Sequence, residues 1–173
     1  MNQYVLRQMV IAGGLLCAIL GGAAIGAGFE KFVWTTPFPQ GAEAGKPMEI
    51  THASPRDLTN YDLHLTCTPG AADLRGSVRT LRFGHYKPHD LRGQLAQAVF
   101  IVDGQRQAPI DVKLTAWDEG IEAVLEIRDA PAFLNVLEKG RNLRVEFPRL
   151  KSQPISLKAF GALSQAMRAH CNL

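Results

Sequence analysis

Two histidines and an aspartate have the spacing in this chain that is closest to a metal site. His85, His89 and Asp90 form the pattern H-x-x-x-H-D, in which two imidazoles on one turn of a helix could bind a metal ion. Gly84 and Pro88 disfavour a helix at this point. The pattern therefore predicts a solvated loop, and we expect neither a metal nor a cofactor there.

Pairs of carboxylates could act as a general acid and a general base. Asp118 and Glu119 precede Gly120, an order typical of a turn between two strands. Glu122 and Glu126 alternate with apolar residues, as charges do on the exposed face of any strand. The acidic residues therefore predict no catalytic pair.

Other catalytic motifs are incomplete. The serines lie in no G-x-S-x-G setting, which leaves acyl transfer without support. The segment 41–46, G-A-E-A-G-K, resembles a phosphate-binding loop, but one intervening residue is missing and Pro47 replaces the required Ser or Thr. We expect a protein without enzymatic activity and keep an enzyme only as the third hypothesis.

A run of cations marks a candidate interaction surface. Its members are Arg75, Arg79, Arg82, Lys87 and Arg92. The net charge of the whole chain is only +3, so this excess is local and suits an acidic partner or anionic headgroups. An ordinary solvated face is the alternative. Nucleic-acid binding is disfavoured, because Phe83 and Tyr86 are the only aromatic residues there that could stack on bases.

The composition is that of a folded protein with one domain of ordinary size. The chain has 173 residues, of which 46% are hydrophobic and 20% are charged. These values exclude a disordered or collagen-like chain. The length argues against a multi-domain enzyme.

The N-terminus carries a candidate membrane anchor. Residues 8–29 include no charged residue, and at about 1.5 Å per residue they span a bilayer core of roughly 30 Å. Arg7 precedes this run while Glu30 and Lys31 follow it, which favours residues 1–7 in the cytoplasm of a bacterium and the body in the periplasm. A cleaved signal peptide is the alternative, although Ile25 interrupts the small residues that a cleavage site needs.

Small residues recur every four positions within this anchor. Ala18, Gly22 and Gly26 would share one helix face, which lets a second helix approach closely. This face predicts a homodimer or contact with subunits of a membrane complex. The alternative is that small residues serve insertion alone.

The remainder of the chain divides into a linker and a folded body. Residues 30–47 are rich in proline and glycine, as linkers are, and residues 48–173 form the periplasmic domain. Alternating apolar and polar residues predict about seven short strands, near residues 61–67, 78–83, 99–102, 110–117, 121–127, 143–147 and 155–157. Their spacing is typical of a mainly β protein, a small antiparallel sandwich or barrel.

Two helices are predicted among these strands. Asp129 can cap a helix over residues 130–139 that Gly140 ends. A C-terminal helix carries an apolar stripe of Phe160, Leu163 and Met167.

Cysteine usage predicts a disulfide. Cys17 falls within the anchor, which leaves Cys67 and Cys171 as the pair in an oxidising compartment. Cys67 shares the apolar face of its strand with Tyr61, Leu63 and Leu65, and Cys171 continues the stripe of the C-terminal helix. Both thiols are therefore expected to point into the core.

A series of short motifs runs from Tyr61 to Cys171. In order they are Leu65-x-Cys67, Phe100-Ile101-Val102-Asp103-Gly104, Trp117, Phe133-Leu134-x-x-Leu137, Gly140-Arg141-x-Leu143-x-Val145 and Ser156-Leu157-Lys158-Ala159-Phe160. This order of features resembles a type VI secretion-associated periplasmic family and, more loosely, the invasion-associated locus B proteins of alphaproteobacteria. It implies a small exported β-domain without catalytic activity that acts beside envelope machinery or at the cell surface.

Two hypotheses for function follow. The first is a non-enzymatic accessory subunit, anchored in the inner membrane and facing the periplasm, within an envelope or secretion complex. The second is a secreted binding or inhibitor module that signal-peptide cleavage releases. No small-molecule substrate can be named from the sequence.

Overall fold

The computed structural model describes residues 32–36, 43–55, 61–80, 93–117, 120–147 and 150–173. These ranges contain eleven strands and two helices. The strands are β1 (Val33–Thr35), β2 (Met48–Ala53), β3 (Tyr61–Cys67), β4 (Leu74–Thr80), β5 (Leu95–Val102), β6 (Gln105–Arg106), β7 (Ile110–Trp117), β8 (Gly120–Ile127), β9 (Asn142–Phe147), β10 (Leu150–Lys151) and β11 (Ile155–Ser156). The helices are α1 (Ala130–Lys139) and α2 (Phe160–Cys171).

The strands form one antiparallel sheet that curls into a half-barrel. The strand order is β1-β2-β3-β4-β8-β7-β5-β9-β10, with β6 added to β5 and β11 added to β9. Within β5, residues 95–98 pair with β7 and residues 99–102 pair with β9. This single strand therefore carries the sheet around its corner.

The core lies between the concave face of the sheet and the two helices. Alternate residues of β3, Leu63, Leu65 and Cys67, are fully buried, as are Leu134 of α1 and Met167 of α2. Burying side chains of this size stabilises a fold by roughly 1.5–3 kcal/mol each. The helices are thus fixed mainly by apolar contact with the sheet.

β1 is attached to this core through one aromatic residue. Trp34 packs edge to face on Phe160 with ring centroids 4.8 Å apart, and its indole N–H donates to the Ser156 carbonyl at 2.6 Å. β1 lies within residues 30–47, which were predicted to be a linker. The strand is only three residues long, and the prolines and glycines that follow it are typical of a linker.

α1 has the bounds that its local signals predict. The Asp129 carboxylate accepts a hydrogen bond from the Ala132 N–H at 3.0 Å, and Pro131 occupies the first turn, where no N–H is needed. Gly140 ends the helix with its N–H on the Leu137 carbonyl. A Cβ atom at Gly140 would collide with Val102 and Leu157, so a larger residue at this junction would require these side chains to shift.

The mainly antiparallel β class and the two helices are confirmed. The predicted sandwich or barrel is resolved as a single curled sheet, which the alternation of each strand alone does not specify. Neither helix of the described ranges is long and apolar enough to cross a membrane. The predicted anchor, residues 8–29 with its packing residues Ala18, Gly22 and Gly26, lies outside the described residues.

Candidate functional site

A polar cluster occupies the convex face of the sheet. We define the convex polar cluster as Tyr61, Ser77, Arg79, Thr115 and Glu122. Arg79 of β4 and Thr115 of β7 stand directly opposite Glu122 of β8, one on either side. Strand register therefore places the Glu122 carboxylate between the Arg79 guanidinium and the Thr115 hydroxyl.

Tyr61 joins the cluster because of an irregularity in its strand. Alternation predicts Tyr61 on the core face with Leu63. A register shift between β2 and β3 at His52 and Ala53 changes this, and the Tyr61 hydroxyl bonds to Ser77 Oγ at 2.7 Å on the opposite face. A bulge of this kind redirects a side chain without changing the composition of the strand.

The cluster is held together by hydrogen bonds and charge. The Tyr61 hydroxyl also donates to Glu122 Oε1, and Thr115 Oγ1 lies 3.4 Å from Glu122 Oε2. The Arg79 Nε lies 3.4 Å from Glu122 Oε1, while the guanidinium carbon stands 4.1 Å from the centroid of the Tyr61 ring. The Glu122 carboxylate is thus the common acceptor of the cluster.

These contacts set the protonation of the acid and the phenol. Burial, with the hydrogen bond to Glu122, raises the pKa of Tyr61 to about 12. Burial alone would raise the pKa of Glu122, but the hydrogen bond from Tyr61, the charge of Arg79 and the hydroxyls of Ser77 and Thr115 together bring it below its usual value. At neutral pH the phenol is therefore neutral and the carboxylate ionised.

His64 borders the cluster. Its ring packs edge-on against Tyr61 with centroids 5.6 Å apart, and its Nε2 lies 2.9 Å from Thr66 Oγ1. Burial lowers the pKa of His64 in spite of the nearby Glu49 and Glu122 carboxylates. Ser77 Oγ bonds to the Tyr61 phenol, so the hydroxyls and the carboxylate of the cluster form one hydrogen-bond network.

The candidate cations fall into two groups. Arg75 is exposed, with 73% of its side chain accessible and Asp73 at 3.8 Å. Arg79 is only 19% accessible and faces Glu122, so it adds little to a cationic surface. Arg82, Lys87 and Arg92 lie outside the described residues, as do His85, His89, Asp90, Asp118 and Glu119.

Cys67 and Cys171 are joined by a disulfide with Cα atoms 6.2 Å apart. The two residues are 0% and 1% exposed. A bridge buried to this degree ties the last turn of α2 to β3 and offers no sulfur to a reductant or substrate. Its place in the fold is that of a structural cross-link.

An apolar groove runs between α1 and β7. Its volume is about 730 Å³, within the range of roughly 300–1,000 Å³ that is usual for ligand sites. The lining residues are Leu95, Phe100, Gln107, Ala108, Pro109, Ile110, Asp111, Val112, Lys113, Val124, Glu126, Ile127, Arg128, Asp129, Ala132, Phe133, Val136 and Leu137. Apolar residues therefore form most of the wall, and the charged ones come from β7, β8 and the two residues that precede α1.

A short exposed stripe on the convex face forms one side of this groove. We define the convex stripe as Leu95, Lys113 and Val124, which are cross-strand neighbours on β5, β7 and β8. Leu95 is 85% exposed and Val124 is 40% exposed. The stripe presents two apolar side chains to solvent with the aliphatic stem of a lysine between them.

Sequence reasoning did not identify the groove or the stripe. Val136 adds to Phe133, Leu134 and Leu137 on α1, and this surplus of apolar surface on a short helix was the available signal. The Leu95 side chain gives no signal, because an apolar residue that begins a strand is ordinary.

Comparisons with protein-family models, with curated proteins and with solved structures found no match to this chain. The resemblance to secretion-associated and invasion-associated envelope proteins therefore stays a prediction.

Proposed function

We propose that this protein is a non-enzymatic accessory subunit of an envelope or secretion complex, anchored in the inner membrane by residues 8–29 and facing the periplasm. Its partner subunit contacts the convex stripe. The single observation that carries the proposal is Leu95, a leucine on a regular strand with 85% of its surface exposed.

The surroundings of Leu95 have the anatomy of a contact surface. Val124 and the Lys113 stem extend its apolar area across two strands. The next row of the same face is polar, and there the Gln97 amide donates to the Asp111 carboxylate at 3.3 Å. An apolar centre with a polar rim is typical of protein interfaces.

The scaffold supports a binding role better than a chemical one. The disulfide and the buried side chains of α2 hold the sheet in one shape, and a rigid surface loses little entropy on binding. The convex polar cluster uses its hydroxyls and its carboxylate for its own hydrogen bonds.

The groove favours a second candidate, a secreted binding module released by cleavage near residue 28. This candidate uses the same folded domain, and the two differ in the fate of the N-terminal segment. The mature N-terminus, read by mass spectrometry, separates them.

The test is gentle detergent extraction of tagged full-length protein from its native membrane, followed by identification of proteins recovered at comparable abundance. Leu95→Asp places a charge in the stripe without touching the core. Gln165→Asp places the same charge on an exposed position of α2 and is the matched control.

We expect the wild type and Gln165→Asp to retain a stoichiometric envelope subunit that Leu95→Asp loses. Equal recovery of the partner with both variants would move the contact away from the stripe. Recovery of a lone soluble protein that lacks residues 1–28 would favour the secreted module.

A further inference from the structure

Strand β1 is fixed to the body of the domain over its whole length. All of its residues pair with β2. The Trp34 indole N–H donates to the Ser156 carbonyl at 2.6 Å, and the Trp34 ring packs on Phe160 and on His52. The ring of Phe32, just before β1, also lies 6.0 Å from His52. The folded domain therefore begins at Phe32.

Few residues separate this point from the predicted anchor. The anchor is residues 8–29, so Glu30 and Lys31 alone lie between it and Phe32. Three Cα steps join residue 29 to Phe32, and at about 3.6 Å or less each they reach at most roughly 11 Å. The linker predicted over residues 30–47 cannot hold the domain far from a membrane, because β1 interrupts it.

This reach is similar to the thickness of a headgroup layer. The hydrocarbon core of a bilayer is about 30 Å thick and the whole bilayer about 40–45 Å, which leaves roughly 5–8 Å of headgroups on each side. A folded domain of this size has a radius of gyration of about 15 Å. With residues 8–29 across the bilayer, Phe32 stands at most a few ångströms beyond the headgroups. The edge of the domain that carries β1 must then touch them.

The side chains at this edge are apolar and accessible. β1 stands at the end of the strand order of the sheet. Strand alternation places Trp34 toward the core and Val33 on the opposite face, where Val33 is 41% exposed. Phe32 is half-buried beside it. Burial of apolar surface at the boundary between headgroups and acyl chains strengthens the binding of a protein to a membrane.

We propose that the β1 edge, with Phe32 and Val33, lies against the headgroups of the membrane that holds residues 8–29. This inference rests on the anchor of the proposed function. It gives the domain an orientation, because Val124 of the convex stripe lies four strands from β1 in the sheet, about 19 Å at the usual strand spacing. The convex stripe then stays free for a partner subunit.

The experiment uses full-length protein in vesicles of phosphatidylethanolamine and phosphatidylglycerol. A photoreactive diazirine amino acid replaces Val33, or Val124 as the matched control, because the two valines are 41% and 40% exposed. Phe32 is the second position if the Val33 protein does not fold. After illumination, mass spectrometry identifies what is joined to the photoreactive residue. Flotation of the vesicles reports separately whether the protein is anchored.

A pair of insertions tests the short connection. About ten glycine and serine residues between Lys31 and Phe32 add roughly 17 Å of reach. The same segment between Ala44 and Gly45 enters an exposed turn that precedes β2. This second insertion leaves the distance between the anchor and β1 unchanged and is the matched control.

We expect lipid adducts at Val33 and their loss at Val124. The insertion beside Phe32 should lower the yield at Val33, and the insertion beside Gly45 should leave it unchanged. Equal loss with both insertions, or no loss with either, overturns the short connection as the cause.

The inference and the anchor can fail separately. Anchored protein that gives no lipid adduct at Val33, equal adducts at Val33 and Val124, or an adduct with a second copy of this chain in place of lipid overturns the contact and leaves the anchor standing. Protein that does not float with the vesicles overturns the anchor and the contact together.

Discussion

The two flanks of helix α1 are built in opposite ways. On the flank facing α2, Glu138 accepts hydrogen bonds from the Ser164 hydroxyl at 2.7 Å and from Arg168 Nε at 3.0 Å. Arg168 also donates to the Pro131 carbonyl and to Asn135 Oδ1. On the flank facing β7, half-buried Phe133 and Val136 border the groove.

The difference shows how a short helix can be fixed in place beside an open site. Polar contacts with α2 set the position of α1 and, together with buried Leu134, make that flank part of the scaffold. The groove flank contributes less, because Phe133 and Val136 are half-buried and pack against the core only in part. We therefore expect substitutions on the α2 flank to lower the free energy of unfolding more than substitutions on the groove flank.

Breaking the disulfide that ties α2 to β3 should lower the free energy of unfolding more than any other change considered on the α2 side. The bridge spans a sequence separation of 104, for which chain entropy gives about 4–5 kcal/mol as an upper value. Chemical denaturation should show that Cys67→Ser and Cys171→Ser destabilise alike. The double variant should lose no more stability than either single variant, because each of the three proteins lacks the same disulfide. Strongly unequal single effects would mean that the two cysteines are not partners.

Truncating one apolar side chain on each flank sharpens the comparison. Leu134 is fully buried, so Leu134→Ala should lower the free energy of unfolding by about 2–5 kcal/mol. Val136→Ala should cost less than about 1 kcal/mol, since its side chain already meets solvent. Both variants are measured by thermal and by chemical unfolding. A similar loss of stability in Leu134→Ala and Val136→Ala would show that the groove flank is packed as part of the core.

Removing the Glu138 carboxylate, which joins α1 to α2, should lower the free energy of unfolding by an intermediate amount. Glu138→Gln weakens two hydrogen bonds at a site where Glu138 is 22% and Arg168 is 19% accessible, and we expect a loss of about 1–3 kcal/mol. Glu43→Gln removes an exposed pair with Lys46 and should change stability by less than about 0.5 kcal/mol. If Glu138→Gln and Glu43→Gln change the free energy of unfolding equally, polar contacts do not hold the α2 flank of α1 in place.

The smallest effect concerns the convex polar cluster and its dependence on pH. The folded pKa of Glu122 lies below its ordinary value, so its contribution to stability is present above the ordinary pKa and is lost as pH falls through the folded one. Glu122→Gln should therefore flatten the acid side of a stability curve by less than about 1 kcal/mol. Exposed Glu126, changed to Gln, is the control. Identical curves for both variants would remove Glu122 from the acid response.

Local signals predicted much of the fold. The cap at Asp129 and the stop at Gly140 lie within the helix itself, so α1 was predicted with its observed bounds. Alternation placed Cys67 on a core-facing position, and helical periodicity did the same for Cys171.

What the sequence did not predict depends on distant contacts. In β2, Thr51 and His52 are both buried, so the alternation that marks a strand is lost. The convex polar cluster depends on a bulge that redirects Tyr61, and the groove depends on the corner within β5. Neither feature has a pattern in its own segment.

The most direct test of the difference between the two flanks of α1 is chemical denaturation of full-length Leu134→Ala and Val136→Ala under identical conditions. We expect the loss in the free energy of unfolding to be at least about twice as large for Leu134→Ala, because Leu134 is fully buried and Val136 is half-buried. Equal losses would show that the two flanks are packed alike and would contradict this interpretation.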